Sequence, residues 1–325
     1  MRPFSFTKID NAANALAAKK EKSQFIAGGT NLVDLMKKNI AQPEQVLDVT
    51  TALSSEIEDF TKGIRIGAMA RNSALTTNAI VLEKYPLVSK AVLAGASPQI
   101  RNMASTAGNL LQRTRCPYFY DVTTACNKRK PNSGCSALEG ENRMSAVIGY
   151  SEQCVAVHPS DLCVALAALD AKVNIENSKN KKSVISFGDF HRLPGNEPNR
   201  DNNLPENALI TSVEIPSNGF QKHSAYLKIR DRDSYAFALV SVAAALELQG
   251  TRIVAARLAS GGVAHKPWRW YDAEAFLKGK EATAANFSEA ANIAVQDLKP
   301  LAHNGFKKEM LQGAIATALQ QCLTV

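Results

Sequence analysis

The N-terminal apolar positions switch between helical and extended spacing. Residues 12–20 form an Ala-rich stretch with a helical repeat. Residues 24–27 read as a strand stopped by Gly28-Gly29, residues 32–38 resume helical spacing, and residues 45–49 read as a second strand. Together they predict a small α/β unit. Ile64-Arg65-Ile66-Gly67-Ala68 alternates with the period of a strand, residues 78–93 read as one helix, and residues 161–169 as a strongly apolar helix. Between the last two lies a stretch, residues 112–160, poor in apolar runs and rich in Pro, Gly, Asn, Ser and charge. A structureless segment of that length is uncommon unless it is functional or tied down. From Phe220 onward the pattern changes again. Residues 225–230, 237–248 and 252–259 predict antiparallel strands punctuated by Gly261-Gly262, and residues 272–323 predict helices. No internal repeat is present, and the boundary between two domains, 1–218 and 219–325, falls near residues 216–219.

A length of 325 residues suits two domains, and 45% hydrophobic with 21% charged residues is an ordinary globular composition. The formal charge of +8 raises the question of an anionic partner. The basic residues, however, are spread in short runs beside turn-forming residues: Lys19-Lys20-Glu21-Lys22, Lys128-Arg129-Lys130 and Lys179-Asn180-Lys181-Lys182. They read as solvated loops, and neither a nucleic-acid surface nor a membrane insertion is expected. No segment approaches the roughly 20 apolar residues of a bilayer span. The N-terminus has no apolar core or cleavage pattern of an export signal, so any export is expected to be as a passenger on a folded partner.

Two turns have the composition of phosphate cradles. In Ala27-Gly28-Gly29-Thr30-Asn31-Leu32 a strand runs through two glycines and two capping residues into a helix. Glycine lets backbone N–H groups approach an anion, and a helix start favours negative charge. The spacing is not GxGxxG, and a tight strand–helix turn would look the same. The second, Gln99 to Leu110, ends in Ser105-Thr106-Ala107-Gly108-Asn109. A pair of such turns suggests two loops meeting around one dinucleotide. Four of the six cysteines, Cys116, Cys126, Cys135 and Cys154, fall in the irregular stretch. Four thiolates suit a 4Fe–4S cluster or a structural zinc, although the missing CxxC pair speaks against zinc; two disulfides are the other reading. Cys163 reads as a core residue, and Cys322 has no evident partner.

The motifs AGGTNL, QIRNMASTAGNLLQ, HPSDLCVALAALDA and RLASGGVAHKPWR occur in that order along nearly the whole chain. In this combination the chain resembles the FAD subunit of the xanthine dehydrogenase, aldehyde oxidoreductase and carbon monoxide dehydrogenase family. The resemblance implies an α+β fold: two α/β subdomains forming an FAD-binding domain of the PCMH type, then a C-terminal domain of antiparallel sheet and helices. It implies FAD contacts from Ile26, Ala27, Gly28, Gly29, Thr30, Asn31, Leu32, Val33 and Asp34, from Ser105, Thr106, Gly108 and Asn109, and from Asp161, Ile210 and Lys228. Two departures stand out: Asn31 replaces the usual aspartate, and Ala107 stands where glycine is common, which predicts an altered contact because alanine disfavours positive φ. Within the family, the flavin subunit of 4-hydroxybenzoyl-CoA reductase and related aldehyde oxidoreductases carries four cysteines binding 4Fe–4S on an inserted loop. That resemblance points to Cys116, Cys126, Cys135 and Cys154 as cluster ligands.

No nucleophile–base pair or paired carboxylate stands out, and His158, His191, His223, His265 and His303 are scattered. No catalytic residue is therefore assigned. Gln112, Arg113, Arg115 and Tyr118 adjoin the second turn and the first cysteine, and are as readily solvated loop residues as ligand contacts. The resemblance implies electron transfer within a heterotrimer. A large partner with a molybdenum cofactor oxidises an aldehyde or heterocycle, a small partner with 2Fe–2S clusters relays electrons to FAD, and an external acceptor of unknown identity takes them. By the same analogy the expected location is the periplasm, reached on the small partner's twin-arginine signal, with the cytoplasm as alternative. A self-contained FAD oxidoreductase without a cluster, or a zinc-ordered scaffold, are the competing readings.

Overall fold

The computed structural model describes residues 1–324. Strands β1 (Ser5–Lys8), β2 (Ser23–Ile26) and β3 (Gln45–Asp48) form a parallel sheet in the order β1-β3-β2. Parallel neighbours need crossovers. The first is the helix Ala12–Ala18, whose N-cap Asn11 accepts from the Asn14 amide at 2.8 Å. The second is the helix Leu32–Lys37, which follows the Gly28-Gly29 turn.

A five-stranded antiparallel sheet follows: β4 (Ile57–Phe60), β5 (Gly63–Gly67), β6 (Lys172–Asn177), β7 (Lys182–Ser186) and β8 (Ala208–Pro216), in the order β4-β5-β8-β6-β7. Only β5 was evident in the sequence pattern. The exposed edge strand β7 is mostly polar, and β6 and β8 break register at Asn174/Ile175, so each shows little clean alternation. The helix expected over residues 78–93 is two helices, Ala79–Lys84 and Pro86–Ala94. Tyr85 sits between them at φ −136° and ψ 48°, since a residue before proline is pushed out of the helical region.

The C-terminal sheet is antiparallel, in the order β12-β11-β10-β9, with β9 (Ser224–Ile229), β10 (Val240–Gln249), β11 (Arg252–Gly261) and β12 (Trp268–Arg269). Strand β10 is apolar almost throughout because it is buried on both faces. Val242, Ala244 and Leu246 enter the core formed with helices Ala284–Val295 and Phe306–Gln321, while Ala243 and Ala245 enter the core of the N-terminal domain. The helix Asp161–Ala168 buries every residue after Asp161, which accounts for its apolar composition.

Arg269 joins the domains. It pairs with Glu274 within the C-terminal domain and donates to the Ala167 carbonyl and the Asp170 carboxylate, both at 2.8 Å, at the end of that buried helix. Glu274 also accepts the Leu258 amide at 2.7 Å. Both partners are nearly excluded from water, and removing Glu274 leaves Arg269 with only the half-exposed Asp170 as counter-charge. Glu274→Ala is therefore expected to cost about 3 kcal/mol, read as a lower urea midpoint with a far-ultraviolet spectrum like that of the unmodified protein.

Candidate functional site

The three sheets converge on one cavity of about 1290 Å³. Ile26 through Leu32 and Asp34 line it from the first turn, Ser105, Gly108 and Asn109 from the second, and Asp161, Ile210 and Lys228 complete the set. Val33 and Thr106 stay out of the wall. Thr106 is buried, with its hydroxyl and amide both donating to the Ala70 carbonyl at 2.9 and 2.8 Å, so it anchors the second turn.

The two turns are packed backbone against backbone. A Cβ on Gly28 would lie 1.8 Å from the Met103 carbonyl oxygen, so no side chain fits there. Gly29 has φ +73°, a conformation natural to glycine. Ala107 does not need such freedom: it is buried within the short helix Thr106–Leu110, and its amide donates to Ala68 at 3.0 Å. The altered contact expected from the missing glycine therefore has no backbone basis. Asn31 stands at the start of helix Leu32–Lys37 without capping it. Its Oδ1 accepts the Arg113 amide at 3.3 Å, and its buried Nδ2 has no protein partner at the cavity wall. An orphaned donor beside a glycine turn suits an anionic group such as a pyrophosphate.

Asp161 and Lys228 form a buried pair at 2.8 Å. Tyr226 donates to Asp161 at 2.7 Å, and Lys228 to the Ala94 carbonyl at 3.1 Å. Burial, reinforced by the Asp161 charge, pushes the Tyr226 hydroxyl well above its usual range and keeps it a donor. Ser160 caps the helix Asp161–Ala168 and hydrogen-bonds Asn109, tying this corner to the second turn.

Other wall residues had no signal of their own. Asp231, Arg232, Tyr235 and Phe237 belong to an irregular segment between β9 and β10, and Gly261-Gly262 lie within a motif that carried resemblance but no assigned contact. Gln112, Arg113 and Arg115 do line the cavity. Arg115 pairs with Asp34 at 3.0 Å and lies over the Phe237 ring at 5.3 Å.

The four loop cysteines meet around a second, small cavity, with Lys128, Phe119 and Gln153 among its other lining residues. Cys126 and Cys135 face each other across an antiparallel bridge, and Cys154 closes a turn with Ser151. Asn127 ties these parts together: its Nδ2 donates to the Gln153 carbonyl and side chain at 3.1 and 2.9 Å, and its Oδ1 accepts Gly134 N–H at 2.8 Å. Apart from the short helix Pro117–Tyr120, residues 112–160 are turns and isolated bridges. None of the six cysteines is in a disulfide, and Cys163 and Cys322 are buried in the cores. Burial pushes the Cys116 thiol up and the Cys154 thiol to about 12, with Lys128 pulling the latter back. Metal coordination overrides such shifts, since a coordinating thiol is deprotonated. Lys128 itself, expected in a solvated run, is only 2% exposed. The two cavities share Thr114, Cys116 and Ala156 as a common wall.

His158, His191 and Cys163 are the one group among the described residues whose three ligand atoms lie within 4.8 Å of one another. Hydrogen bonding argues against a metal there. His158 Nδ1 accepts the Ser160 amide at 3.3 Å, so its Nε2 carries the proton and offers no lone pair. His191 donates through Nε2 to the Leu110 carbonyl, and His265 through Nδ1 to that of Arg192, each at 2.8 Å. These are neutral structural histidines.

A dinucleotide-sized cavity thus lies between two backbone turns and is backed by an antiparallel C-terminal sheet. The chain matches the FAD binding domain in molybdopterin dehydrogenase over residues 2–218 and the CO dehydrogenase flavoprotein C-terminal domain over residues 224–322. It belongs to this family of FAD-binding molybdopterin dehydrogenase subunits. It is 45% identical to the aldehyde oxidoreductase FAD-binding subunit PaoB of Escherichia coli, over 99% of this chain and 98% of that one. It is 25% identical to the glyceraldehyde dehydrogenase medium chain of Sulfolobus acidocaldarius, over 95% and 94%. The fold matches that in quinoline 2-oxidoreductase from Pseudomonas putida 86, with a TM-score of 0.76 and 21% identity over 99% of this chain and 97% of that chain.

Gly28→Ala is expected to separate the two turns and yield protein with little bound flavin, measured as the ratio of absorbance at 450 to 280 nm. The buried histidines predict an acid sensitivity. Burial lowers His191 and His265 to about 4 from an ordinary 6.5. The unfolded chain therefore binds more protons between those values. The associated stability is complete above pH 6.5 and is lost as pH falls towards 4. His265→Asn, which retains a donor for Arg192, should flatten the fall in urea midpoint between pH 7 and 5.

Proposed function

We propose that this chain is the FAD- and 4Fe–4S-binding electron-transfer subunit of a heterotrimeric, molybdenum-dependent aldehyde oxidoreductase. In this reading a small 2Fe–2S partner feeds electrons from the large molybdenum subunit to the flavin, and the flavin delivers them to an external acceptor. The aldehyde substrate class follows two relatives named for aldehyde oxidation, both similar over nearly the full length.

The observation that carries the reading is the common wall of the two cavities, in which Cys116 belongs to both. Redox groups on either side of one residue are within easy reach of each other. The flavin supplies the redox chemistry when bound, and the protein supplies binding, orientation and electrostatics. The Gly28-Gly29 turn would present backbone amides to a pyrophosphate, Asn31 would offer its unpaired Nδ2, and the Asp161–Lys228 pair would supply a rigid polar corner.

A cluster is favoured over zinc by the resemblance and by the sequence, since structural zinc ligands usually come as closely spaced pairs and the four loop cysteines contain no CxxC pair.

The visible spectrum of the purified complex, before and after dithionite, tests the proposal. A flavin envelope over a broad, bleachable iron–sulfur background is expected, with Cys126→Ser losing the iron of this subunit and retaining FAD. Unchanged iron in that variant would overturn the cluster. A flavin envelope alone in the isolated subunit prepared without oxygen would favour the cluster-free flavoprotein.

A further inference from the structure

We propose that Asp201, by holding Arg113 towards the large cavity and Lys128 towards the small one, positions a charge triad that sets the redox potentials on the two sides of their common wall. The proposal rests on the reading that the four cysteines carry an iron–sulfur cluster.

Asp201 accepts from Arg113 Nε at 2.7 Å through one oxygen and from Lys128 through the other. The Lys128 side chain is 1% exposed and that of Asp201 19%. Lys128 also donates to the Pro198 carbonyl at 3.0 Å, and Arg113 Nη2 to the Lys128 carbonyl at 3.3 Å, so the two cations cannot move independently. The Arg113 guanidinium lies over the Phe119 ring at 4.8 Å, and Phe119 lines the cysteine cavity. Arg113 lines the large cavity and Lys128 the small one.

Lysine is almost never this buried without a purpose or a partner, and one carboxylate shared by two cations leaves a positive charge in excess. Burial pushes the Asp201 carboxyl up, but Lys128 and Arg113 outweigh it and hold the group well below the usual carboxylate range. Asp201 therefore stays a carboxylate between the two cations that it holds. A fixed cation in a poorly screened site stabilises whichever neighbouring redox form carries the additional electron, raising its midpoint.

The test is an EPR-monitored redox titration of the intact complex with its partner subunits. Lys128→Met should lower the midpoint of the 4Fe–4S signal and Asp201→Asn should raise it. Each shift should correspond to at least a tenfold change in the one-electron equilibrium, about 59 mV. Lys128→Arg, which keeps the charge, should stay near the unmodified value. Opposite shifts would not follow from a purely structural role. Midpoints that do not move, or that move in the same direction, in variants retaining iron and flavin would overturn the proposal. Should Lys128→Met emerge without iron, Asp201→Asn and Arg113→Gln carry the test: the first must raise the cluster midpoint and the second must lower that of the flavin. An unmodified complex lacking any 4Fe–4S signal would instead overturn the cluster reading, and the proposal with it.

Discussion

The architecture depends on two backbone segments lying closer than any side chain permits. Where Gly28 passes the Met103 carbonyl, the parallel sheet and the helices before the second turn become parts of one wall. The rest of the cavity is arranged around that seam. Asn31 reaches from the first turn to Arg113, Ser160 from the third corner to Asn109, and Arg71 from the side to the Asn102 carbonyl at 2.6 Å. None of these contacts is large in energy, since a net hydrogen bond contributes about 1 kcal/mol. Their effect is collective: they hold polar groups in place before any ligand arrives, so that binding need not order them.

How much of this was legible in the chain varied with the physical cause. Ile64, Ile66 and Ala68 share one buried face while Arg65 is exposed on the other, and the strand was evident. Strands β6 and β8 are interrupted by a bulge and mix buried with half-buried positions out of strict alternation, so the same rule gave little signal. The break at Tyr85 was written in Pro86 and was overlooked beneath an otherwise helical repeat. Among the site residues, the glycine turns carried their own chemistry. Asp161, Ile210 and Lys228 came only through family resemblance, since nothing in local spacing brings together residues from three separate elements. The segment with Tyr235 and Phe237 had neither kind of signal. Lys128 was misread because a basic run looks solvated until its counter-charge, Asp201, is brought in from a distant part of the chain.

The cysteine loop shows how an irregular segment is kept in place. Its own bonds are turns and bridges, but the stretch between Cys135 and Cys154 is fastened to the C-terminal domain. The Val147 amide donates to Val263 at 2.8 Å, and Asn304 donates to the Ser145 and Ala146 carbonyls at 3.1 and 3.2 Å. Lys307, fully buried, donates to Ser145 at 2.9 Å and to Gly262 at 2.7 Å, the latter in the wall of the large cavity. Burial brings that ammonium down to about 7, and it joins the Ser145 carbonyl, which Asn304 also serves, to the Gly262 carbonyl.

That fastening has a consequence for biogenesis. Asn304 lies 159 residues beyond Ser145 in the chain, and Lys307 162 residues beyond it. A ribosome releases the cysteines long before it releases the residues that clamp their loop. The thiols therefore emerge before the Asn304 and Lys307 clamp exists, and truncation of the final helix would leave every cysteine of the loop present while removing the Lys307 contacts to Ser145 and Gly262.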